Sequence, residues 1–253
     1  EQTEAMKVDL ISSAVKRVPL ESPLKWLPKE TAEYGDLVVG RVRRVSPNYP
    51  TLEVPGGEQV LLEESKTLVG VLGERRALNG FSGKAPSRLR LGMQLHLLNM
   101  GGVIGQCTGF HRNLEWPTEI EYMGTVRGNS GTLNVRNFAL PIVNKPLPQI
   151  PVVMVVGTCM DSGKTSVCKR VLESFSEKGF SISAGKVAGV ASQRDLISME
   201  KSGAKKALSF LDFGLVSTTG RGNLVPVAHS MVHYLSSSKP DFILLEMGDG
   251  IVG

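Results

Sequence analysis

The 253-residue chain is poor in cysteine, in aromatic residues and in long apolar runs. Its three cysteines, Cys107, Cys159 and Cys168, follow no zinc-ligand or disulfide spacing, which excludes a zinc ribbon and a disulfide-stapled scaffold. Reduced thiols and a cytoplasmic location are the expectation. No apolar run approaches the length of a membrane span, and no segment reads as a secretory signal, so no membrane partner is expected. The formal charge of +5 is mild and is not gathered into a basic block. That permits a nucleotide but argues against a nucleic-acid tail. Arg41, Arg43 and Arg44 make one strand basic, yet no interleaved aromatic platform accompanies them in the sequence, so a solvated strand face is the default and nucleic acid is not expected as a partner. With 41% hydrophobic and 21% charged residues, the chain has material for a core and is not broadly disordered. It starts with Glu1 rather than Met and stops at Gly253, so residues missing from one or both ends are expected.

What is present divides into two halves. Residues 1–34 read as a helical or irregular segment: Lys7 to Val18 has the spacing of a short amphipathic helix, followed by Pro19, Pro23 and Pro28. From Gly35 the period becomes that of strands. "GDLVVGRVRRV" and "TLEVPGGEQVLLEE" alternate and break at Gly56-Gly57, and "GMQLHLLNMGGVIGQCTGF" repeats the pattern around Gly101-Gly102. "EIEYMGTVRGNSGTLNVRNFAL" reads as a hairpin turning at Gly128 to Gly131. Short strands with glycine turns predict a small, mostly antiparallel β-barrel or sandwich over residues 35–140. "PIVNKPLPQIP", residues 141–151, has four prolines and reads as a semi-rigid linker.

After the linker, residues 152–253 have βαβ grammar. A buried strand is expected at Val152 to Val156, then a helix with Val167, Val171, Leu172 and Phe175 on one face and Gly179 as its stop. "FSISAGKVAG" is a second strand, helices are expected near Ser192 to Ser202 and Pro226 to Ser237, and "DFILLEMGDG" is a third, buried strand ending in acid and glycine. Strands alternating with helices imply an α/β parallel sheet with ligands at the carboxyl ends of its strands.

The chemistry concentrates in "GTCMDSGKT", between the first strand and the first helix. A phosphate cradle needs inward backbone N–H groups, a helix N-terminus, a lysine near the outer phosphates and a hydroxyl for Mg²⁺. Gly163, Lys164 and Thr165 supply the end of that pattern. Five residues, rather than the standard four, separate Gly157 from Gly163.

This shifted glycine resembles the loop of dethiobiotin synthetase and its relatives: Gly-Thr, about five variable residues, then Gly-Lys-Thr. The resemblance covers about residues 151–253. It implies a P-loop domain that binds ATP and Mg²⁺, with Gly157, Thr158, Cys159, Met160, Asp161, Ser162, Gly163, Lys164, Thr165 and Ser166 around the nucleotide. "SAGKVAG" resembles the family's Lys-Pro-Val-Ala-Ser-Gly segment, with Val187 in place of proline. This implies that Lys186 holds substrate and phosphate. "LLEMGDG" resembles Val-Glu-Gly-Ala-Gly-Gly, which makes Glu246 the Mg²⁺ carboxylate beside Thr165, with Asp249 close by. Asp195 in "ASQRDL" stands in for a second metal-binding aspartate, and Asp161 occupies the family's glutamate position in the loop. Lys164, Lys186 and Asp161 are thus the catalytic candidates. A homodimer is also implied by the resemblance. The two-part layout further resembles uncharacterised bacterial P-loop proteins with a β domain in front.

Other residues have plainer readings beside their chemical ones. His229 and His233, four apart, suit a metal on one helix face, but no third ligand is evident and ordinary surface histidines are the default. Cys159 is a redox candidate or a small packing residue, and Arg221 in "TTGRGN" is a mobile arginine or a bystander. The expected function is Mg²⁺-dependent ATP binding and hydrolysis, coupled to phosphoryl transfer onto a small acid or amine. The alternative is a regulatory NTPase whose β domain grips a protein or nucleic acid.

Overall fold

The computed structural model describes residues 4–248. The chain forms two compact units. The first comprises the chain to Ala139 together with Val190–Gln193 and Gly214–Thr219; the second comprises Leu140–Gly189, Arg194–Phe213 and the chain from Gly220. The fold is mixed α/β, with a large, mostly antiparallel sheet in the first unit and a small parallel sheet in the second.

The first unit contains β1 (Glu4–Met6), β2 (Leu10–Ile11), β3 (Leu24–Leu27), β4 (Leu37–Arg44), β5 (Thr51–Glu53), β6 (Gln59–Leu61), β7 (Thr67–Leu72), β8 (Phe81–Lys84), β9 (Gln94–Leu97), β10 (Val103–Phe110), β11 (Glu119–Gly128) and β12 (Gly131–Thr132). Ten of these share one sheet, while β5 and β6 form a separate hairpin. Pairing runs from β4 to β7, β10, β9 and β11 and returns to β4, so five strands make a closed circuit. β11 illustrates why. Ile120 and Tyr122 are buried while Glu119 and Glu121 face outward, the period-two pattern of a strand with one face on a core. Val38, Val42, Leu68, Leu72, Leu95 and Ile104 fill the interior with them. β11 and β12 form the hairpin at Gly128 to Gly131.

The helix expected from Lys7 to Val18 is not formed. β2 pairs with β7 instead, and only a 3-10 turn, Ser13–Val15, follows. The apolar spacing is used by tertiary pairing: Asp9 accepts hydrogen bonds from the Thr67 N–H and hydroxyl, and the Ser12 N–H donates to Val69 O. These bonds and the burial of Ala14, Val15 and Val18 override a weak local helix preference. The linear cut at residue 141 also differs from the observed division. Val190–Gln193 and Gly214–Thr219 join the first unit because their polar groups are satisfied there. Tyr34 Oη accepts from the Val216 and Ser217 N–H groups at 3.0 and 2.9 Å, and Glu53 accepts from Ser192 Oγ and Gln193 N at 2.9 and 2.6 Å.

The second unit contains β13 (Val152–Val155), α1 (Lys164–Ser176), β14 (Ile182–Lys186), α2 (Arg194–Lys201), β15 (Ala204–Ser209), α3 (Val225–Ser236) and β16 (Phe242–Glu246). All four strands are parallel, in the order β13-β16-β14-β15. Cys168 and Leu172 of α1 and Leu196 and Met199 of α2 pack on Ile182, Ala184 and Leu244. Met231 and Leu235 of α3 close over Gly185 and Leu245 on the other face. The buried stripe of α1 is thus centred on Cys168 and Leu172, and Val167 and Phe175 are partly exposed. β13 is not the buried strand expected. It lies at the sheet edge, and Val153 and Met154 are 44% and 61% exposed. Residues 141–151 form no helix or strand and run along α3, where the Val143 N–H donates to Ser230 Oγ and Tyr234 Oη donates to Pro141 O. Among the described residues no helix is long and apolar enough to cross a membrane.

Candidate active site at the carboxyl ends of the parallel strands

The loop between β13 and α1 folds tightly on itself. A Cβ added at Gly157 would stand closest to Ser162 Oγ and 2.9 Å from Lys164 Cγ, closer than real side chains approach, so glycine there lets both side chains fold over the loop. Asp161 and Gly163 take left-handed φ angles of 59° and 88°. They turn the chain into α1, whose first turn carries no capping side chain from Gly163. Helix-start amides without a cap favour an anion, because the unpaired N–H groups and the helix dipole add. Lys164 Nζ folds back across the loop and donates to Cys159 O at 2.7 Å and to Ser162 Oγ at 3.4 Å. Thr158, Asp161, Ser162 and Ser166 are exposed, and Cys159 and Met160 are half-buried.

The register of the sheet brings the acid to this loop. Val155 of β13 and Lys186 of β14 both stand opposite Glu246 of β16, so three strand ends finish level. The Thr165 hydroxyl donates to Glu246 Oε1 at 2.8 Å, across 81 residues of sequence. Lys186 Nζ donates to the same oxygen at 3.0 Å and to Asp195 Oδ2, in the first turn of α2, at 2.6 Å. Glu246 is buried, and its second oxygen, Oε2, has no hydrogen-bond partner among the described residues. Burial works against the Lys186 ammonium, but Asp195 and Glu246 together outweigh it and hold its pKa above the ordinary lysine value. Beneath the site, burial, and next the Glu246 charge, push the Cys168 thiol up to about 12, so it is neutral and inert at physiological pH.

The site therefore unites Thr165, Lys186 and Glu246 with the Gly157–Lys164 loop. Asp195 is joined to it through Lys186, whose ammonium stands between the two carboxylates. Among the described residues no three of His, Cys, Asp and Glu are grouped to hold a metal by themselves. Mg²⁺ takes few protein ligands and relies on phosphates and water. The Thr165–Glu246 pair with its unpartnered Oε2 is a donor set of that kind, since a buried oxygen left without a partner calls for one. Asp249 lies outside the described residues.

His229 and His233 do neighbour each other, with ring centroids 5.0 Å apart, but each anchors the proline segment: one ring nitrogen of His229 meets Val143 O at 3.2 Å, and one of His233 meets Lys145 O at 3.0 Å. Arg221 lies in the coil just ahead of α3. Sequence reasoning missed Phe210 and Gly189: a Cβ added at Gly189 would stand 3.3 Å from both Lys186 Cε and Phe210 Cε1, so the glycine leaves room beside the lysine stem. The glycine soon after the strand was a signal; the buried Phe210, behind an unrecognised strand, left none. No protein-family model, curated protein or solved structure matches the chain.

Proposed function

We propose that the second unit binds a nucleoside triphosphate with Mg²⁺ and hydrolyses it, as a P-loop domain, with ATP as the nucleotide and a small acid or amine as phosphoryl acceptor. The observation that carries this reading is the meeting of Thr165 and Glu246 at 2.8 Å beside an uncapped helix start. In this scheme the amides of the loop and of the first turn of α1 take the phosphates. Lys164 Nζ exchanges its contact with Cys159 O for a phosphate oxygen. Thr165 and Glu246 would hold Mg²⁺, which would supply neutralisation of charge on the phosphates. Lys186, kept protonated by Asp195 and Glu246, stabilises negative charge on the group in transfer. Nucleotide choice and acceptor rest on the likeness to dethiobiotin synthetase.

The test is calorimetric titration of the chain with ATP, with Mg²⁺ or with EDTA, beside a turnover assay. Mg²⁺-dependent binding is expected. Lys164→Ala weakens it roughly tenfold or more, and Glu246→Gln lowers turnover far more than affinity, because backbone amides and Lys164 supply much of the affinity. Equal triphosphate affinity in the wild type and Lys164→Ala contradicts the proposal.

A regulatory NTPase is the second reading. It is favoured by the division of the chain: Val190–Gln193 and Gly214–Thr219 belong to the first unit, so the ends of the Arg194–Phe213 segment continue into the β-rich unit. The closed circuit of strand pairing supports a β-barrel for that unit. Turnover stimulated only by a macromolecule, and by no member of a metabolite pool, would select this reading.

A further inference from the structure

The first unit carries a second constellation, remote in sequence from the loop. Trp116 is 50% exposed and Phe110 37%, whereas the other tryptophan, Trp26, is buried. The Trp116 and His96 rings stack with centroids 5.8 Å apart and planes 22° apart, and Phe110 meets Trp116 at 5.2 Å. Behind Phe110 stand Phe81 and Tyr49, so the aromatic surface is anchored in the unit. Trp116 and His96 border an open groove of about 460 Å³ whose other walls include Gln94, Gln106, Thr108 and Glu119. Among the described residues neither glutamine amide has a hydrogen-bond partner. His96 Nδ1 accepts from the Cys107 N–H at 3.2 Å, and burial lowers the His96 pKa, so the ring is a neutral stacking surface.

The charges on one side of this groove are paired, and those on the other are not. Glu119 stands between Arg44 and His96 in register and pairs with Arg44 at 4.0 Å, and Arg43 pairs with Glu121. On the opposite side Lys84 stands across from Gln106, and Arg112 lies in the segment between Phe110 and Trp116. Among the described residues Lys84 and Arg112 have no ion-pair partner. Exposed rings and open amides at one groove, with an unpaired Lys84 opposite Gln106 and an unpaired Arg112 in the segment that leads to Trp116, fit a ligand that offers planar faces, hydrogen-bonding edges and a negative backbone together.

We propose that this groove binds single-stranded nucleic acid, with a base stacked on Trp116, its edge read by Gln94 and Gln106, and the backbone held by Lys84 and Arg112. The proposal does not depend on the nucleotide reading of the second unit. A proline-rich peptide would use the rings but leave the cations without a role, and a free planar metabolite would use neither Lys84 nor Arg112.

The probe is a fluorescein-labelled oligothymidylate of about ten nucleotides, titrated into the full chain by anisotropy and by tryptophan emission. Binding is expected to quench emission, since the exposed tryptophan is the one at the groove. Trp116→Ala should weaken binding roughly tenfold or more, while Trp116→Phe, which keeps a ring, retains most of it. Lys84→Ala and Arg112→Ala should each reduce the salt dependence, by about 0.7 in log–log slope. Binding should persist in Lys164→Ala, which separates the groove from the phosphate loop. The proposal is overturned if Trp116→Ala, folded by circular dichroism, binds the oligonucleotide as the wild type does. It is equally overturned if Lys164→Ala abolishes binding, if thymidine alone binds as tightly as the oligomer, or if a proline-rich peptide binds at Trp116 and the oligomer does not.

Discussion

Lys186 is the residue on which the second unit's polar centre turns. It stands between two carboxylates, one of them buried, and a buried charge stripped of its partner is far more costly than a well-paired one. Lys186→Met should therefore cost about 3 kcal/mol of stability, with chemical denaturation as the measurement. Combined with Glu246→Gln the loss should fall well short of the sum, because both changes remove one network. The sign with pH follows from the raised lysine pKa. The contribution is complete below the ordinary lysine value of about 10.4 and is lost as pH rises through the higher folded value. The Cys168 thiol, pushed up to about 12 by burial, acts in the same direction: the unfolded thiol ionises first, so stability drains away from about pH 9 upward. A melting temperature that falls between pH 9 and 11 in the wild type, and falls less steeply in Lys186→Met, is the expected result. Parallel curves would show that the ammonium contributes nothing specific.

The loop from Gly157 to Gly163 works as an element, set by the backbone more than by its side chains. Gly157→Ala places a methyl group against Ser162 Oγ and the stem of Lys164. The lysine must move, so ATP affinity should fall roughly tenfold, while the melting temperature changes little because the loop is exposed. A variant that binds ATP normally would remove the close approach as the reason for glycine. Much of this loop was legible in the sequence, since strand, glycine, Gly-Lys-Thr and helix are consecutive. Glu246 was legible too, as an acid ending an apolar strand. Elements whose character depends on neighbours were not. β15 hides behind Lys205 and Lys206, whose charges interrupt its apolar pattern. The Lys7 to Val18 spacing suits a helix and a strand with a turn alike, and only pairing with β7 decides. The ring cluster of His96, Phe110 and Trp116 arises from β9, β10 and the following loop, which the sheet brings together. No local window in the sequence contains it.

On the scale of the molecule, the order of strands in the parallel sheet decides which apolar residues meet water. "VVMVV" is continuous and apolar, the composition of a central, buried strand. Among the described residues the order β13-β16-β14-β15 puts β13 at an edge, with β16 alone beside it in the sheet. Val153 and Met154 are consequently 44% and 61% exposed, and Val156, just beyond the strand, is 70% exposed. An exposed, uncharged apolar edge with free backbone donors and acceptors invites pairing with other chains, and proteins often blunt such edges with lysine. Self-association through β13 is therefore the expected liability of this chain. Met154→Lys places a charge on the exposed strand without touching the Thr165–Glu246 centre. It should cost less than about 0.5 kcal/mol in urea unfolding, as surface substitutions do, and it should lower light scattering at high protein concentration. If Met154→Lys instead destabilises the fold by several kilocalories, as a core substitution would, Met154 is buried in solution and β13 is covered on the face that this structure leaves open.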